Sequence, residues 1–288
     1  MSLVEVPGVT PVAAKPPAKR ARRSLVIGTT LLALLVLIAL LAPLIAPHDP
    51  DAVDPNRVLA GPDGSHWLGS DDFGRDVLSR TLFALRVSLV VAVSSVLLAT
   101  LVAIPLGLLA GYFGGWVDTL VSRPLDMLLV LPALLLALSL ITILGPGSRV
   151  AALAIAVIYL PILARVMRAS TLVTSRNDYV IAARARGAGH LITMRDHVLP
   201  NSLGPVAVQA SVLTGFALQL EAALSFLGLG TQPPTPSLGG MLAEGRDLLN
   251  LAPWIEIAPG ATIALAVLSF MLIGDGLRRS LDPDGVAS

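Results

Sequence analysis

Six long apolar runs separated by polar connections set the pattern of this chain. A helix needs roughly 20 consecutive apolar residues to cross a hydrocarbon core about 30 Å thick. Runs of about that length occupy residues 24–46, 87–110, 120–144, 150–171, 203–229 and 257–274, and each is expected to form a transmembrane helix. Lys15, Lys19, Arg20, Arg22 and Arg23 precede the first run. That run exceeds the roughly 7–15 apolar residues of a cleavable signal peptide, so it is expected to be retained. The Pro-rich residues 1–23 are then expected to be a disordered cytoplasmic tail.

An even number of spans and a basic amino terminus predict that both termini are cytoplasmic. The inner side would hold the amino-terminal cluster, the Arg-rich segment 165–195, and Arg278 with Arg279. The outer side would hold residues 47–82, where seven Asp face Arg57, Arg75 and Arg80, and also Arg149 and Arg246. The expected organisation is a first helix at 24–46, an extracytoplasmic segment at 47–82, a five-helix core at 83–279 containing an inner loop at 172–202, and a cytoplasmic tail at 280–288. Loops as long as 47–82 and 172–202 generally have functions.

Composition supports an all-α membrane protein. Of the 288 residues, 55% are hydrophobic and 14% are charged, with a mean hydropathy of +0.80. Soluble domains carry about 25% charged residues. A net charge of +1 implies no electrostatic attraction to nucleic acid. Zero Cys removes thiol nucleophiles and thiolate metal sites. His48, His66, His190 and His197 show no metal-ligand spacing, so no metal is expected. Eighteen of the twenty basic residues are Arg, which fits a GC-rich bacterial source. No GxxxxGK[ST] motif occurs and no soluble segment is large enough for a nucleotide-binding fold, so ATP chemistry must reside on another chain. A membrane enzyme is disfavoured because there is neither an HExxH motif nor a convincing Ser/His pair within the spans.

The inner loop reads Tyr179-Val-Ile-Ala-Ala-Arg-Ala-Arg-Gly-Ala-Gly-His190 and continues to Leu199-Pro200-Asn201. Residues 180–186 are good helix formers, with a small-residue face at Ala182, Ala183 and Ala185. Asp178 is the expected cap, Gly187 and Gly189 the expected stops at positive φ, and Pro200 the restart before the next span. A short exposed helix between two spans is predicted, with small side chains that allow a partner's groove to approach.

This loop resembles the cytoplasmic signature of permeases from ATP-binding-cassette importers. That signature reads Glu-Ala-Ala, three residues, Gly, nine residues, then Ile-x-Leu-Pro. Ala182, Ala183, Gly187, Leu199 and Pro200 match at the family spacing, whereas Ile181 stands in place of Glu and His197 in place of Ile. The run His66-Trp-Leu-Gly-Ser-Asp-Asp-Phe-Gly-Arg-Asp-Val-Leu-Ser-Arg80 is similar to the outer segment of the dipeptide/oligopeptide/nickel permeases, C-type subunit. Gly111-Tyr-Phe-Gly-Gly-Trp-Val-Asp118, Ala223-Leu-Ser-Phe-Leu-Gly-Leu-Gly230, Gly274-Asp-Gly-Leu-Arg278 and Leu281-Asp-Pro283 extend the resemblance over nearly the whole chain after the tail.

The resemblance implies a type I importer permease fold in a bacterial inner membrane, with a cytoplasmic coupling helix. Ile181, Ala182, Ala183, Arg184, Ala185, Arg186, Gly187 and Ala188, with Leu199 and Pro200, would contact an ATPase. It also implies a B-type permease partner, two ATPase subunits that carry ATP and Mg, an external substrate-binding protein, and no cofactor or catalytic residue on this chain. Peptides are the implied cargo, with nickel chelates and haem-like solutes as alternatives. An autonomous secondary transporter is disfavoured by the absence of an internal repeat.

Within the spans, Glu221 is the leading ionisable candidate for the substrate pathway, with Gln219 nearby and Gln209 deeper; helix packing is its equally weighted alternative. Arg123 and Asp126, three apart, are expected to pair on one helix face. In the outer segment, Asp71, Asp72, Arg75, Asp76 and Arg80 are expected to form a salt-bridged lid, with a contact to the substrate-binding protein or a gate element as the alternative. Ser70 or Asp71 would cap a short amphipathic helix there. Pro105, Pro132 and Pro161 are candidate kinks.

Overall fold

The computed structural model describes residues 18–281, with side chains described from Arg22 onward. The expectations for residues 1–17 and 282–288 lie outside the described residues. The chain is all-α: α1 Ala18–Ile45, α2 Val77–Phe113, α3 Gly115–Val130, α4 Ala133–Leu144, α5 Ser148–Thr174, α6 Asp178–Ala185, a one-turn α7 His190–Ile192, α8 Leu199–Phe226, α9 Leu238–Gly245 and α10 Trp254–Leu281. A π-helical turn, Thr193–Val198, joins α7 to α8. Five helical stretches are long and apolar enough to cross a membrane, and the bent pair α3–α4 makes a sixth if counted as one span.

That bend corrects the single straight helix expected over residues 120–144. α3 and α4 meet at 97°. The cause is local: Pro132 supplies no N–H, and its ring excludes Leu131 from helical geometry. Leu131 is accordingly extended, at φ −81° and ψ 133°. Pro105 and Pro161, by contrast, sit inside unbroken helices.

Other boundaries also move. Residues 18–23 belong to α1 and residues 280–281 to α10, and not to the expected tails. The outer segment ends at Asp76, because α2 starts at Val77, ten residues before its apolar run. Neither Ser70 nor Asp71 caps a separate short helix there. Asp76 is the cap, accepting from the Ser79 N–H at 2.8 Å. α9 was not anticipated; it starts at Ser237, whose hydroxyl accepts from the Gly240 N–H at 3.1 Å.

The most extensive packing joins α2 to α5. A Cβ placed on Gly107 would lie 2.5 Å from the Ala164 carbonyl oxygen, and one on Gly111 would lie 2.6 Å from the Arg168 carbonyl oxygen. The four-residue spacing puts both glycines on one face of α2, with buried Ala103 one turn before. Small residues repeated in this way let two backbones touch, which is how helices associate where lipid supplies no hydrophobic drive. α1 lies along α10 by the same device, with Gly28 against Leu272 and Gly276 against Leu25. The buried core runs through Leu85, Leu89, Ile155, Leu163, Met167, Leu218 and Leu224.

Gly107→Leu is expected to destabilise the chain by about 1–3 kcal/mol through overpacking. Thermal unfolding of the purified protein in detergent would read it as a lowered midpoint. An unchanged midpoint would show that the α2–α5 contact is looser than described.

Candidate functional site

Three groups of predicted site residues occupy three separate places in the fold. The first is the loop between α5 and α8. Asp178 does not cap α6; Asn177 holds the cap position, without a side-chain bond to the helix, and Asp178 lies in the first turn. The far end is closed more firmly. Gly187 takes φ +89°, whereas Gly189 stays at φ −64° and is not a left-handed stop. The Ala188 N–H donates to the Ala183 carbonyl at 3.2 Å and the Gly187 N–H to the Arg184 carbonyl at 2.9 Å. These paired bonds satisfy carbonyls that the helix end would leave open, and they need a residue tolerant of positive φ.

α6 rests on the π-helical turn through its inner face. Val180 and Ala183 are buried there, as are Met194 and Val198 on the turn. The expected small-residue face is therefore divided. Ala183 points inward, and Ala182 and Ala185 are exposed beside Arg184 and Arg186. Tyr179, Ile181, Leu191 and Ile192 are also exposed, with Ile181 at 54% and Leu191 at 75%. Leu199 is partly buried against the core and Pro200 is exposed.

Two straps tie this loop to the helices. The Tyr112 hydroxyl, near the end of α2, lies 3.1 Å from His190 Nδ1, and the Arg184 guanidinium stands 5.9 Å from the Tyr112 ring centroid. Arg168 on α5 binds the Asp118 carboxylate on α3, and Ser122 donates to the same group. Arg165 pairs with Asp126 at 2.7 Å. The expected Arg123–Asp126 pair does not form, because Asp126 faces α5. These groups border a cavity of about 300 Å³ between α2, α3 and α5, lined by Ser122, Asp126, Arg165 and Arg168.

The second group is the ionic clamp at the opposite end. Arg75 Nε lies 2.6 Å from Asp71 Oδ2 and Arg75 Nη2 2.9 Å from Glu244 Oε2. Arg80 reaches the same two carboxylates, at 3.4 Å and 3.1 Å. Asp71 also accepts from the Phe73 and Arg75 N–H groups, both at 2.9 Å, which folds the preceding turn around it. Asp72 lies 3.8 Å from Arg75, and burial followed by the Asp71 charge raises its pKa above the usual carboxylate value. Asp76 stands apart, in the cap of α2. The side chain of Arg80 is 3% exposed, so its charge depends on these partners.

Glu244 was missed in the sequence. It follows Arg75 by 169 positions on an unpredicted helix, and only the Ser237 cap hinted at that helix. The clamp stands beside a recess of about 180 Å³ lined by Arg80, Ser225, Thr231, the prolines 233, 234 and 236, and Glu244.

The third group does not converge. Gln219 is exposed on α8, and Gln209 lines an open groove with Asp275 and Arg278. Glu221 is fully buried, accepting from the Ser225 hydroxyl at 2.8 Å. The Ser225 hydroxyl in turn accepts from the Thr231 N–H at 3.2 Å. The histidines also depart from expectation. His48 and His66, eighteen positions apart in sequence, stack with ring centroids 4.3 Å apart.

Comparison with known proteins gives the family to which these helices belong. Residues 103–284 match the model of the binding-protein-dependent transport system inner membrane component, and residues 20–62 match the N-terminal TM domain of oligopeptide transport permease C. The chain belongs to this permease family. It is 42% identical to the dipeptide transport system permease protein of Alkalihalophilus pseudofirmus over 258 residues, covering 90% of this chain and 85% of that one. It is 44% identical to a di/tripeptide transport permease of Pseudomonas aeruginosa over 262 residues, covering 89% and 86%. A glutathione transport permease of Pectobacterium atrosepticum is 41% identical, covering 87% and 83%. This is a multi-pass inner-membrane permease of the C type, from the ATP-binding-cassette importers. The α6 loop and the clamp lie at opposite ends of its helices.

In this permease, Glu244→Ala is expected to cost about 1–3 kcal/mol, because two largely buried guanidinium groups lose a charged acceptor. Glu244→Gln, which keeps an acceptor oxygen, should recover part of the loss. Limited trypsin digestion at Arg57, in the outer segment, would report the loosening as faster cleavage. Equal rates for wild type and Glu244→Ala would exclude a clamping role.

Proposed function

We propose that this permease forms half of a translocation pathway for di- and oligopeptides, paired with a B-type permease and driven by two separate ATPase subunits that bind ATP and Mg. An external binding protein delivers the solute, and both termini lie on the ATPase side. The chain contributes no catalytic residue. The peptide assignment is supported by relatives whose names specify dipeptides, di/tripeptides and glutathione as cargo.

The observation that carries coupling is the build of α6. A short helix is fixed on one face by Val180 and Ala183 and presents Ile181, Ala182, Arg184 and Ala185 outward. Its end is locked by Gly187. Exposed apolar side chains next to arginines on a firmly held helix suit docking into a partner's groove. Ile181, in place of the family Glu, exchanges a polar contact for an apolar one. When the ATPases close on ATP, the docked helices are displaced as rigid bodies and the pathway changes the side to which it opens.

For the pathway surface, exposed Gln219 and groove-lining Gln209 are the proposed contacts. Glu221 acts inside the subunit, through Ser225, to hold the loop at Thr231.

Ala182→Trp and Gly187→Trp separate docking from folding. Position 182 is exposed and a Cβ at 187 would meet nothing within 4 Å, although φ +89° adds a local strain of about 1–2 kcal/mol at 187. Both variants should insert normally yet abolish peptide uptake and peptide-stimulated ATP hydrolysis in reconstituted vesicles. Wild-type uptake by an assembled Ala182→Trp complex would overturn the assignment of α6.

A further inference from the structure

The stacked histidines lie at the junction of three pieces of chain. His48 follows the end of α1, His66 sits in the middle of the outer segment, and Asp76 caps α2. Their ligand atoms all fall within 4.8 Å of one another. His48 Nδ1 is 3.8 Å from Asp76 Oδ2. Asp76 Oδ2 is used by Ser79, whose N–H and hydroxyl donate at 2.8 Å and 2.6 Å. Asp76 Oδ1 is buried with no partner, and so is His48 Nδ1. Asp76 is only 2% exposed, so an idle carboxylate oxygen there is costly unless something fills the position.

We propose that His48, His66 and Asp76 form a binding site for a divalent transition-metal ion of the zinc class, which staples the outer segment to the two helices it connects. Two imidazoles and one carboxylate are the ligand set such an ion prefers, with water in the fourth position at the exposed edge of His48. Ca²⁺ and Mg²⁺, which take oxygen ligands, are excluded by the same set.

Second-sphere groups are in place. The Ser65 hydroxyl is 3.1 Å from His66 Nδ1 and donates to Asp63 Oδ1 at 2.7 Å. With a proton on Nδ1 donated to Ser65, the lone pair of His66 moves to Nε2, the usual way a ligating imidazole is oriented. At present Arg57 Nη1 donates toward that Nδ1 at 3.0 Å, so loading the site requires Arg57 to turn away from His66 while it keeps its bond to Asp63 Oδ2, now 2.7 Å.

The present geometry is open. The rings lie within 11° of parallel, so their lone pairs do not converge. Ligand atoms about 2.0–2.2 Å from one ion sit roughly 3.0–3.5 Å apart, so binding requires His48 to turn and the group to close by up to about 1.5 Å. His48 has room to do so, with 37% of its side chain exposed. The neighbouring acidic group of Asp71, Asp72 and Glu244 makes no comparable site, because Arg75 and Arg80 fill it.

The test uses the full permease complex in lipid nanodiscs, stripped with chelator and then titrated with Zn²⁺ by equilibrium dialysis. Wild type should bind about one Zn²⁺ more per chain than the His48→Ala/His66→Ala variant. Ca²⁺ should neither bind there nor compete. Co²⁺ loaded into wild type should give the visible absorption of a tetrahedral nitrogen–oxygen site, and Zn²⁺ should slow trypsin cleavage at Arg57. These wild-type readouts stand even if the double variant fails to assemble. Equal Zn²⁺ stoichiometry in wild type and an assembled double variant overturns the site. Effective competition by Ca²⁺ overturns it as well, as does a wild type with neither Co²⁺ absorption nor Zn²⁺ protection.

Discussion

Everything on the α6 side depends on how closely α2 approaches α5. Gly107 and Gly111 bring the α2 backbone against the carbonyl oxygens of Ala164 and Arg168, with no room for a side chain between them. A membrane offers helices little hydrophobic reason to associate, so this contact relies on dispersion and shape. Its consequence is positional. With α5 locked to α2, Arg168 meets Asp118 across the cavity, and the end of α5 delivers Asn177 to the start of α6. Tyr112, one residue past Gly111, is placed to meet His190 on the far side of the same loop. α6 is thus held from both ends by one helix pair, and a load applied to it passes into the membrane helices rather than into a slack loop.

The other end of the molecule uses charge where this end uses shape. Asp71, Arg75, Arg80 and Glu244 form one ionic network, in which each buried guanidinium lies within 3.4 Å of both the Asp71 and the Glu244 carboxylate. An isolated ion pair at such burial tends to break even against its desolvation cost. A network keeps an opposite charge beside each member, although the buried Arg80 Nε is left without a hydrogen-bond partner, and it requires all its parts in position. The requirement fixes geometry: the start of α2 and the short α9 meet at one angle, with Trp254 adding a bond from its Nε1 to the Ser70 carbonyl at 3.1 Å.

How much of this was legible follows from the range of each interaction. Apolar runs are local, and they located every long helix, though α2 begins ten residues before its run because its first turns are buried by the clamp and not by lipid. The motif around Gly187 is local too, and the positive φ there is a requirement that glycine announces. Pro132 stood in view as a kink, but its sharpness depends on Leu131 being free to extend, which no hydropathy pattern encodes. The Arg123–Asp126 pair failed because helix spacing permits a contact without ranking it against Arg165 on another helix. Glu244 and the His48–His66 pair are products of tertiary folding, so sequence separation hid them.

Glu221, the ionisable residue expected either to mark a path or to pack helices, spends its hydrogen bond inside the subunit. The rule behind that expectation is energetic: a charge in hydrocarbon must gain something to be retained. Glu221 gains a hydrogen bond from Ser225, and through that hydroxyl it governs the Thr231 N–H at the head of the Pro-rich turn. Thr231 also meets Ser148, at the first turn of α5, with 3.0 Å between the hydroxyls. The end of α8 is thereby joined to the start of α5, while the beginning of α8 carries the π-helical turn on which α6 rests. At 28 residues, α8 is about 42 Å long. One stiff element therefore runs from the α6 platform to the lining of the recess beside the clamp. The Glu221 carboxylate thus helps fix, inside the subunit, where α8 ends.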